Sequence, residues 1–106
     1  MNGYQFTFYT TLRRTIEGKH IKDWLINIAR DLGIPGATVI AGLEGYGHDR
    51  RFHAAHFFET ADEPIMIVMA MSEQHRRLLS ERLAEARADI FHVIQPVEMS
   101  DPAAGS

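Results

Sequence analysis

Three observations predict an α+β fold of the ferredoxin-like, split βαβ type for this chain of 106 residues. Strand-like and helix-like patterns follow one another in the order strand, helix, strand, strand, helix, strand (βαββαβ). Right-handed crossovers then place both helices on one face of an antiparallel sheet. The segment 64–71 is almost wholly apolar, as in a strand covered on both faces, so we expect further copies of the chain to cover the second sheet face. Met69 is one of the residues expected on that covered face.

The first half of the chain has a strand followed by an amphipathic helix. Residues 4–9 alternate aromatic and polar side chains, as a half-buried strand does, whereas residues 10–18 have no period and are predicted to form a loop. From Lys19 onward, apolar residues recur on one helical face, and Trp24 is expected in the core. Gly33 is well placed to end this helix.

The second half contains the other strands and the second helix. A strand is predicted at 37–43, and a weak alternation at 52–58 predicts a short strand after it. Ser72 is a suitable N-cap for a helix that extends to about residue 87. The last strand is predicted at 90–94.

Composition limits the classes of function. The formal charge of −3 argues against a nucleic-acid binder, and the absence of cysteine excludes disulfides, thiolate catalysis and cysteine-based zinc sites. No apolar run reaches membrane-spanning length and no signal peptide is evident, so we expect a cytoplasmic protein with no membrane insertion. One domain is predicted over 1–98, with a disordered tail over 99–106.

The segment 36–56 is the candidate ligand site. A buried-strand pattern there runs into three glycines, and Gly45 and Gly47 allow the backbone to take positive φ and to approach a ligand closely. Arg50 and Arg51 follow directly and can hold an anion. The alternative is that the glycines serve only a bulge and a tight turn, and that the arginines are solvated.

Metal binding and catalysis are weaker hypotheses for the same segment. His48, His53 and His56 favour a metal site as the alternative function, because neutral imidazole is a common ligand. However, residues 53 and 56 would face opposite sides of a strand. Glu44 is the only carboxylate in the glycine cluster, and no catalytic triad order or Walker-type loop occurs, so we predict that the protein is not an enzyme.

Several motifs resemble one family. GATVIAGLEGYG at 36–47, RFH at 51–53 and DEPI at 62–65 are similar to the PII-like domains of unknown function, which are related to the nitrogen-regulatory PII signalling proteins. The resemblance covers about residues 16–71. It implies a homotrimer that binds an adenine nucleotide between subunits and regulates a partner protein or transporter through a mobile loop, here 46–63.

The resemblance also implies site residues, by position. Gly36, Ala37 and Thr38 match a segment that reaches the nucleotide from the neighbouring subunit, and His53 matches a position that orients the loop. The nucleotide-binding residues expected on this basis are Gly36, Ala37, Thr38, Gly42, Glu44, Gly45, Tyr46, Gly47, Arg50, Arg51 and His53.

The chain departs from the pattern of PII proteins at several positions. These proteins have a second glycine-rich, phosphate-binding loop after the second helix, whereas residues 84–90 contain no glycine. The resemblance therefore implies AMP or ADP as the ligand rather than ATP, and no metal. His20, Lys22 and Val68 replace a proline, an aromatic and an acidic residue of the family pattern.

Overall fold

A computed structural model describes residues 1–46, 52–54 and 63–100 of the chain. The helices and strands follow the predicted order, with two short two-stranded ribbons in addition. They are β1 (Asn2–Thr11), β2 (Thr15–Ile16), β3 (Lys19–His20), α1 (Ile21–Leu32), β4 (Thr38–Ala41), β5 (Glu44–Tyr46), β6 (Phe52–Ala54), β7 (Pro64–Met71), α2 (Glu73–Glu85) and β8 (His92–Glu98).

The main sheet has four strands in the order β4-β7-β1-β8, and each neighbouring pair is antiparallel. Strands β2 and β3 form one two-stranded ribbon, and β5 and β6 form another. Buried side chains of α1 and α2 join those of one sheet face in a single core. This is the predicted ferredoxin-like arrangement, with both helices on one face of an antiparallel sheet.

Alternation along β7 assigns its side chains to the two sheet faces. Ile65, Ile67, Met69 and Met71 are buried against the helices, while the side chains between them are only half-buried. Met69 pairs with the buried Phe6 of β1 and lies in the core, so its expected place on the opposite face is wrong. Within one chain, therefore, β7 is fully covered on only one of its two faces.

The sheet face opposite the helices, here called the open face, is apolar at one end. There Tyr9, Met66 and Ile40 lie side by side on neighbouring strands, and Val93 and Val68 lie in the next row. Tyr9 and Ile40 are exposed, as is Val93. An apolar sheet face of this extent is typical of a surface that another protein covers.

A hairpin precedes α1, where a loop was predicted. Strands β2 and β3 are joined by Glu17 and Gly18, both with positive φ, as in a type I′ turn. The indole nitrogen of Trp24 donates a hydrogen bond to Glu17 Oε2 at 3.1 Å and holds the hairpin against the helix. Because Lys19 belongs to β3, α1 begins two residues later than predicted. Trp24 lies in the core and Gly33 ends the helix at a φ of 79°, both as predicted.

The ends of α2 follow from local hydrogen bonds. Ser72 is the N-cap, and its Oγ accepts a hydrogen bond from the N–H of His75 at 3.2 Å. The helix ends at Glu85, two residues before its predicted end. Strand β8 starts two residues later than predicted and continues beyond Pro96, which is possible because β8 is an edge strand. Beyond β8, Met99 still pairs with Met1.

Candidate functional site

The candidate site begins where β4 leaves the main sheet. The N–H of Gly42 donates a hydrogen bond to the carbonyl of Pro64 at 2.8 Å, which keeps the two chain segments together just after Ala41. A Cβ at Gly42 would lie 3.4 Å from both Pro64 Cγ and Pro64 O, which is ordinary van der Waals contact, so this packing does not by itself require glycine.

After Gly42 the chain enters the two-stranded ribbon of β5 and β6. Glu44 is opposite Ala54, Gly45 is opposite His53, and Tyr46 is opposite Phe52. The short strand predicted at 52–58 is therefore present at 52–54, and residues 55–58 lie outside the described residues. The pairing brings Gly45 and His53, two predicted site residues, onto adjacent strands.

The predicted site residues fall into two groups at opposite ends of β4. Gly36, Ala37 and Thr38 precede or begin the strand, whereas Gly42 and Glu44 follow it. At about 3.3 Å per residue, Thr38 and Gly42 are separated by about 13 Å. The two groups are therefore not adjacent within one chain.

The remaining predicted site residues lie outside the described residues. They are Gly47, Arg50 and Arg51, together with His48 and His56 of the metal hypothesis and most of the loop 46–63. Within the part of the chain that the structure describes, no group of three histidine, aspartate or glutamate residues could hold a metal ion.

The connection between α2 and β8 lies at the same end of the sheet as Gly42. Its backbone is folded back onto the helix, because the N–H groups of Ala86, Arg87 and Ala88 donate to carbonyls of the last helical turn at 3.0–3.1 Å. Arg87 takes the left-handed position, with φ of 52°, which glycine usually occupies in this type of helix end. The side chain of Arg14 donates a hydrogen bond to the carbonyl of Asp89.

These contacts define a second segment at this end of the molecule that the sequence interpretation did not assign to the site. No sequence signal marks the left-handed conformation of Arg87, because in the sequence it looks like the arginines of the preceding helix. Phe91, which follows the connection, is 64% exposed and contacts Tyr9 with the ring centres 5.7 Å apart. The sequence pattern at 90–94 predicted only a strand.

A charged cluster lies at the opposite end of the sheet, at the start of α2. Arg76 Nε donates a hydrogen bond to Glu73 Oε2 at 3.0 Å, and its guanidinium carbon lies 4.9 Å from the centre of the Tyr4 ring. The hydrogen bond from Arg76 is the main reason that the pKa of Glu73 is lowered. This cluster stabilises the helix start and lies far from Gly42.

The family model DUF190, described as "Uncharacterized ACR", matches residues 3–99 of the chain. None of the curated proteins matches it. No helix in the described ranges combines the length and the apolar character needed to cross a membrane.

Two solved structures are similar over nearly the whole chain. CPII, a nitrogen regulatory PII-like protein from Thiomonas intermedia K12, bound to ADP, AMP and bicarbonate, has a TM-score of 0.72 at 18% identity, and the match covers 97% of this chain and 92% of CPII. A putative PII-like signaling protein from Thermus thermophilus has a TM-score of 0.67 at 15% identity, with 92% and 88% of the two chains covered. The chain thus has the fold of the PII-like proteins, and it belongs to the DUF190 family.

Proposed function

We propose that this protein is a PII-like sensor: a homotrimer that binds AMP or ADP between its subunits and regulates a partner protein or transporter through the loop 46–63. In this proposal the protein carries a signal and catalyses no reaction. The observation that carries the proposal is the likeness to CPII, whose structure holds ADP and AMP and matches 97% of this chain.

The arrangement of β4 supports a site between subunits. Its two ends carry the two groups of expected nucleotide-binding residues, about 13 Å apart within one chain, so each end can face a different intersubunit cleft. A neighbouring copy supplies the second group in the proposed trimer. The apolar open face supports the trimer itself, since its exposed residues Tyr9, Ile40 and Val93 gain a partner on assembly.

The end of α2 supports the preference for AMP or ADP. A phosphate-binding loop needs free backbone N–H groups that point toward the anion. In the connection after α2, the N–H groups of Ala86, Arg87 and Ala88 already donate to carbonyls of Arg82, Ala84 and Leu83. We therefore expect no additional binding energy from a γ-phosphate at this loop.

Isothermal titration calorimetry with AMP, ADP and ATP tests the proposal. We expect AMP or ADP to bind at least as tightly as ATP. Arg50→Ala or Arg51→Ala should weaken binding about ten- to a hundredfold, because a guanidinium–phosphate contact contributes on the order of 1–3 kcal/mol. Arg77→Ala is the matched control, since Arg77 is an exposed arginine in the first half of α2, and affinity should not change.

The possible outcomes separate the parts of the proposal. No heat of binding for any adenine nucleotide at millimolar concentration would contradict nucleotide sensing. Unchanged affinity in both loop variants would remove Arg50 and Arg51 from the site, and a strong preference for ATP would contradict the interpretation of the α2–β8 connection. Hydrogen exchange then tests the loop: bound nucleotide should protect 46–63 and leave α1 unchanged.

A further inference from the structure

The turn between β1 and β2 holds the backbone of Arg14 in place. The N–H of Leu12 donates to the carbonyl of Glu63 at 3.1 Å, which extends the pairing of β1 with β7 by one residue. The N–H of Arg14 then donates to the carbonyl of Thr11 at 3.3 Å, and the carbonyl of Arg14 accepts from the N–H of Ile21 at 2.8 Å. Because Ile21 is the first residue of α1, the backbone of Arg14 is fixed between β1 and α1.

From this position the side chain of Arg14 contacts the α2–β8 connection. Its guanidinium donates a hydrogen bond to the carbonyl of Asp89. Phe8 is opposite His92 in the sheet, so Asp89 lies beside the end of β1, where the turn brings Arg14. The C=O and N–H groups of a trans peptide point in opposite directions. The N–H of Ile90 therefore points away from β1, toward the free side of β8.

A second side chain holds the next peptide group. Nδ1 of His92 lies 2.8 Å from the carbonyl oxygen of Ile90. Because a carbonyl oxygen only accepts, Nδ1 carries a proton and His92 is the donor. The imidazole is held in turn by aromatic contacts: it is tilted by only 7° from the ring of Phe6, and its centre lies 5.1 Å from that of Phe8. Arg14 and His92 thus fix the two peptide groups on either side of Ile90.

The N–H of Ile90 is a donor without a backbone partner. Ile90 precedes β8, and no backbone carbonyl in the described parts of the chain accepts a hydrogen bond from it. The N–H groups of Ala86, Arg87 and Ala88, in contrast, all donate to α2. Most N–H groups of native proteins have an acceptor, so an oriented one without a partner is a candidate ligand contact. It lies at the same end of the sheet as Gly42.

We infer that Arg14 is a positioning residue of the nucleotide site: by holding the carbonyl of Asp89, it directs the N–H of Ile90 at a phosphate oxygen of AMP or ADP. This inference rests on the proposed function and adds the β1–β2 turn to its site. Backbone N–H groups bind phosphate well when they are oriented in advance, and a hydrogen bond to a charged acceptor is stronger than a neutral one. A single donor suits one phosphate oxygen and offers nothing to a longer phosphate chain.

Calorimetry with ligands that differ only in phosphate tests the inference. Arg14→Ala should weaken the binding of AMP and ADP about tenfold, because the donor is no longer held in place. The affinity for adenosine, which has no phosphate, should not change. Arg14→Lys should restore most of the affinity for AMP and ADP, since an ammonium group can also donate to a carbonyl. A general loss of packing would instead weaken adenosine and the nucleotides equally, and would overturn the inference.

Lys19→Ala is the matched control for the charge of Arg14. Lys19 is an exposed cation on the hairpin that follows Arg14. Its removal changes the net charge of the protein by the same amount but leaves the contact with Asp89 intact. The affinity for ADP should change by less than about twofold, because salt screens an exposed charge that makes no contact with the ligand.

His92→Phe provides a second variant, which keeps the inference testable if Arg14→Ala does not fold. It preserves an aromatic ring beside Phe6 and Phe8 but removes the donor to the carbonyl of Ile90. It should weaken AMP and ADP severalfold, again with no effect on adenosine. Circular dichroism of every variant reports whether it is folded.

The amide resonance of Ile90 reports the proposed contact directly. In isotope-labelled unmodified protein, ADP should move the amide proton signal of Ile90 downfield, as a new hydrogen bond to a charged acceptor does. Adenosine should move it much less. In Arg14→Ala saturated with ADP, the downfield shift should be smaller than in the unmodified protein.

The outcomes separate this inference from the function on which it rests. A phosphate-dependent loss of affinity in Arg14→Ala, together with the shifted Ile90 signal, supports it. Equal affinity for ADP in Arg14→Ala and the unmodified protein overturns the positioning role and leaves nucleotide sensing standing. Weakened binding with an Ile90 signal that ADP does not move would show that Arg14 binds the phosphate itself, which also overturns it. If the unmodified protein binds no adenine nucleotide, the proposed function fails and this inference fails with it.

Discussion

Glu73 shows how one exposed carboxylate stabilises a helix start. It lies in the first turn of α2, where a negative charge interacts favourably with the helix dipole, and it accepts hydrogen bonds from the Arg76 guanidinium. The hydrogen bond from Arg76 lowers the pKa of Glu73 below 4.5, and further contributions come from Tyr4 and from Arg77. A lowered pKa in the folded state means that ionised Glu73 favours folding.

This predicts a pH dependence with a defined sign. The contribution of Glu73 to the free energy of unfolding should be fully present above pH 4.5 and should disappear as the pH falls through the lower pKa of the folded state. Glu73→Gln should therefore reduce stability at pH 7 and reduce it less at pH 3, as measured by urea denaturation. Glu81→Gln, at an exposed position in the middle of the same helix, is the control and should show a smaller difference. An equal loss at both pH values would contradict the role of the charge.

At the level of elements, the backbone after α2 is strained because a non-glycine residue has a positive φ there. Arg87 holds a left-handed conformation with φ of 52°, which costs a non-glycine residue about 1 kcal/mol. We expect Arg87→Gly to raise the free energy of unfolding by about 0.5 kcal/mol, since glycine removes this strain but adds entropy to the unfolded chain. Ala84→Gly, three residues earlier inside the helix, should lower it by about 1 kcal/mol. Urea denaturation measures both, and a loss of stability in Arg87→Gly would show that the arginine side chain makes a contact worth more than the strain.

The elements also show where sequence patterns are sufficient. The helix α1 and the strand β7 were predicted because long apolar periods outweigh local detail, and the structure gives β7 the predicted bounds. The hairpin before α1 was missed because its strands have two residues each and its first turn residue is Glu17, not glycine. The start of β8 was predicted two residues too early because Ile90 and Phe91 are apolar and resemble strand residues. In the structure Ile90 is buried in the core and Phe91 is exposed, and both precede the strand.

The candidate site was predictable only in part, because sequence patterns do not fix how separate segments are placed in the fold. A glycine after a β-branched run suggests a special backbone position at Gly42, but its N–H pairs with the carbonyl of Pro64 in the ordinary way and a Cβ there would meet Pro64 at ordinary contact distance. That the expected residues lie at opposite ends of β4 follows from the bounds of the strand, whereas a site that two copies of the chain share is part of the proposed function.

At the scale of the whole molecule, a methionine-to-aspartate substitution should have different effects on the two faces of β7. Met66 lies on the open face next to Tyr9 and Ile40, whereas Met69 is fully buried against the helices. In the proposed trimer Met66 becomes buried between subunits, where an unpaired carboxylate is costly. Met66→Asp should therefore give a folded monomer.

Met69→Asp should instead unfold the chain, because it places a charge in the core and removes a buried side chain whose truncation alone costs about 2–5 kcal/mol. Sedimentation velocity measures assembly and far-ultraviolet circular dichroism measures folding for both variants. Leu78→Asp is the control for an exposed apolar residue away from the open face, and it should remain a folded trimer. If Met66→Asp sediments as the trimer does, the open face is not the assembly surface. If Met66→Asp is unfolded, the exposed row of Tyr9, Met66 and Ile40 already contributes to the stability of the single chain.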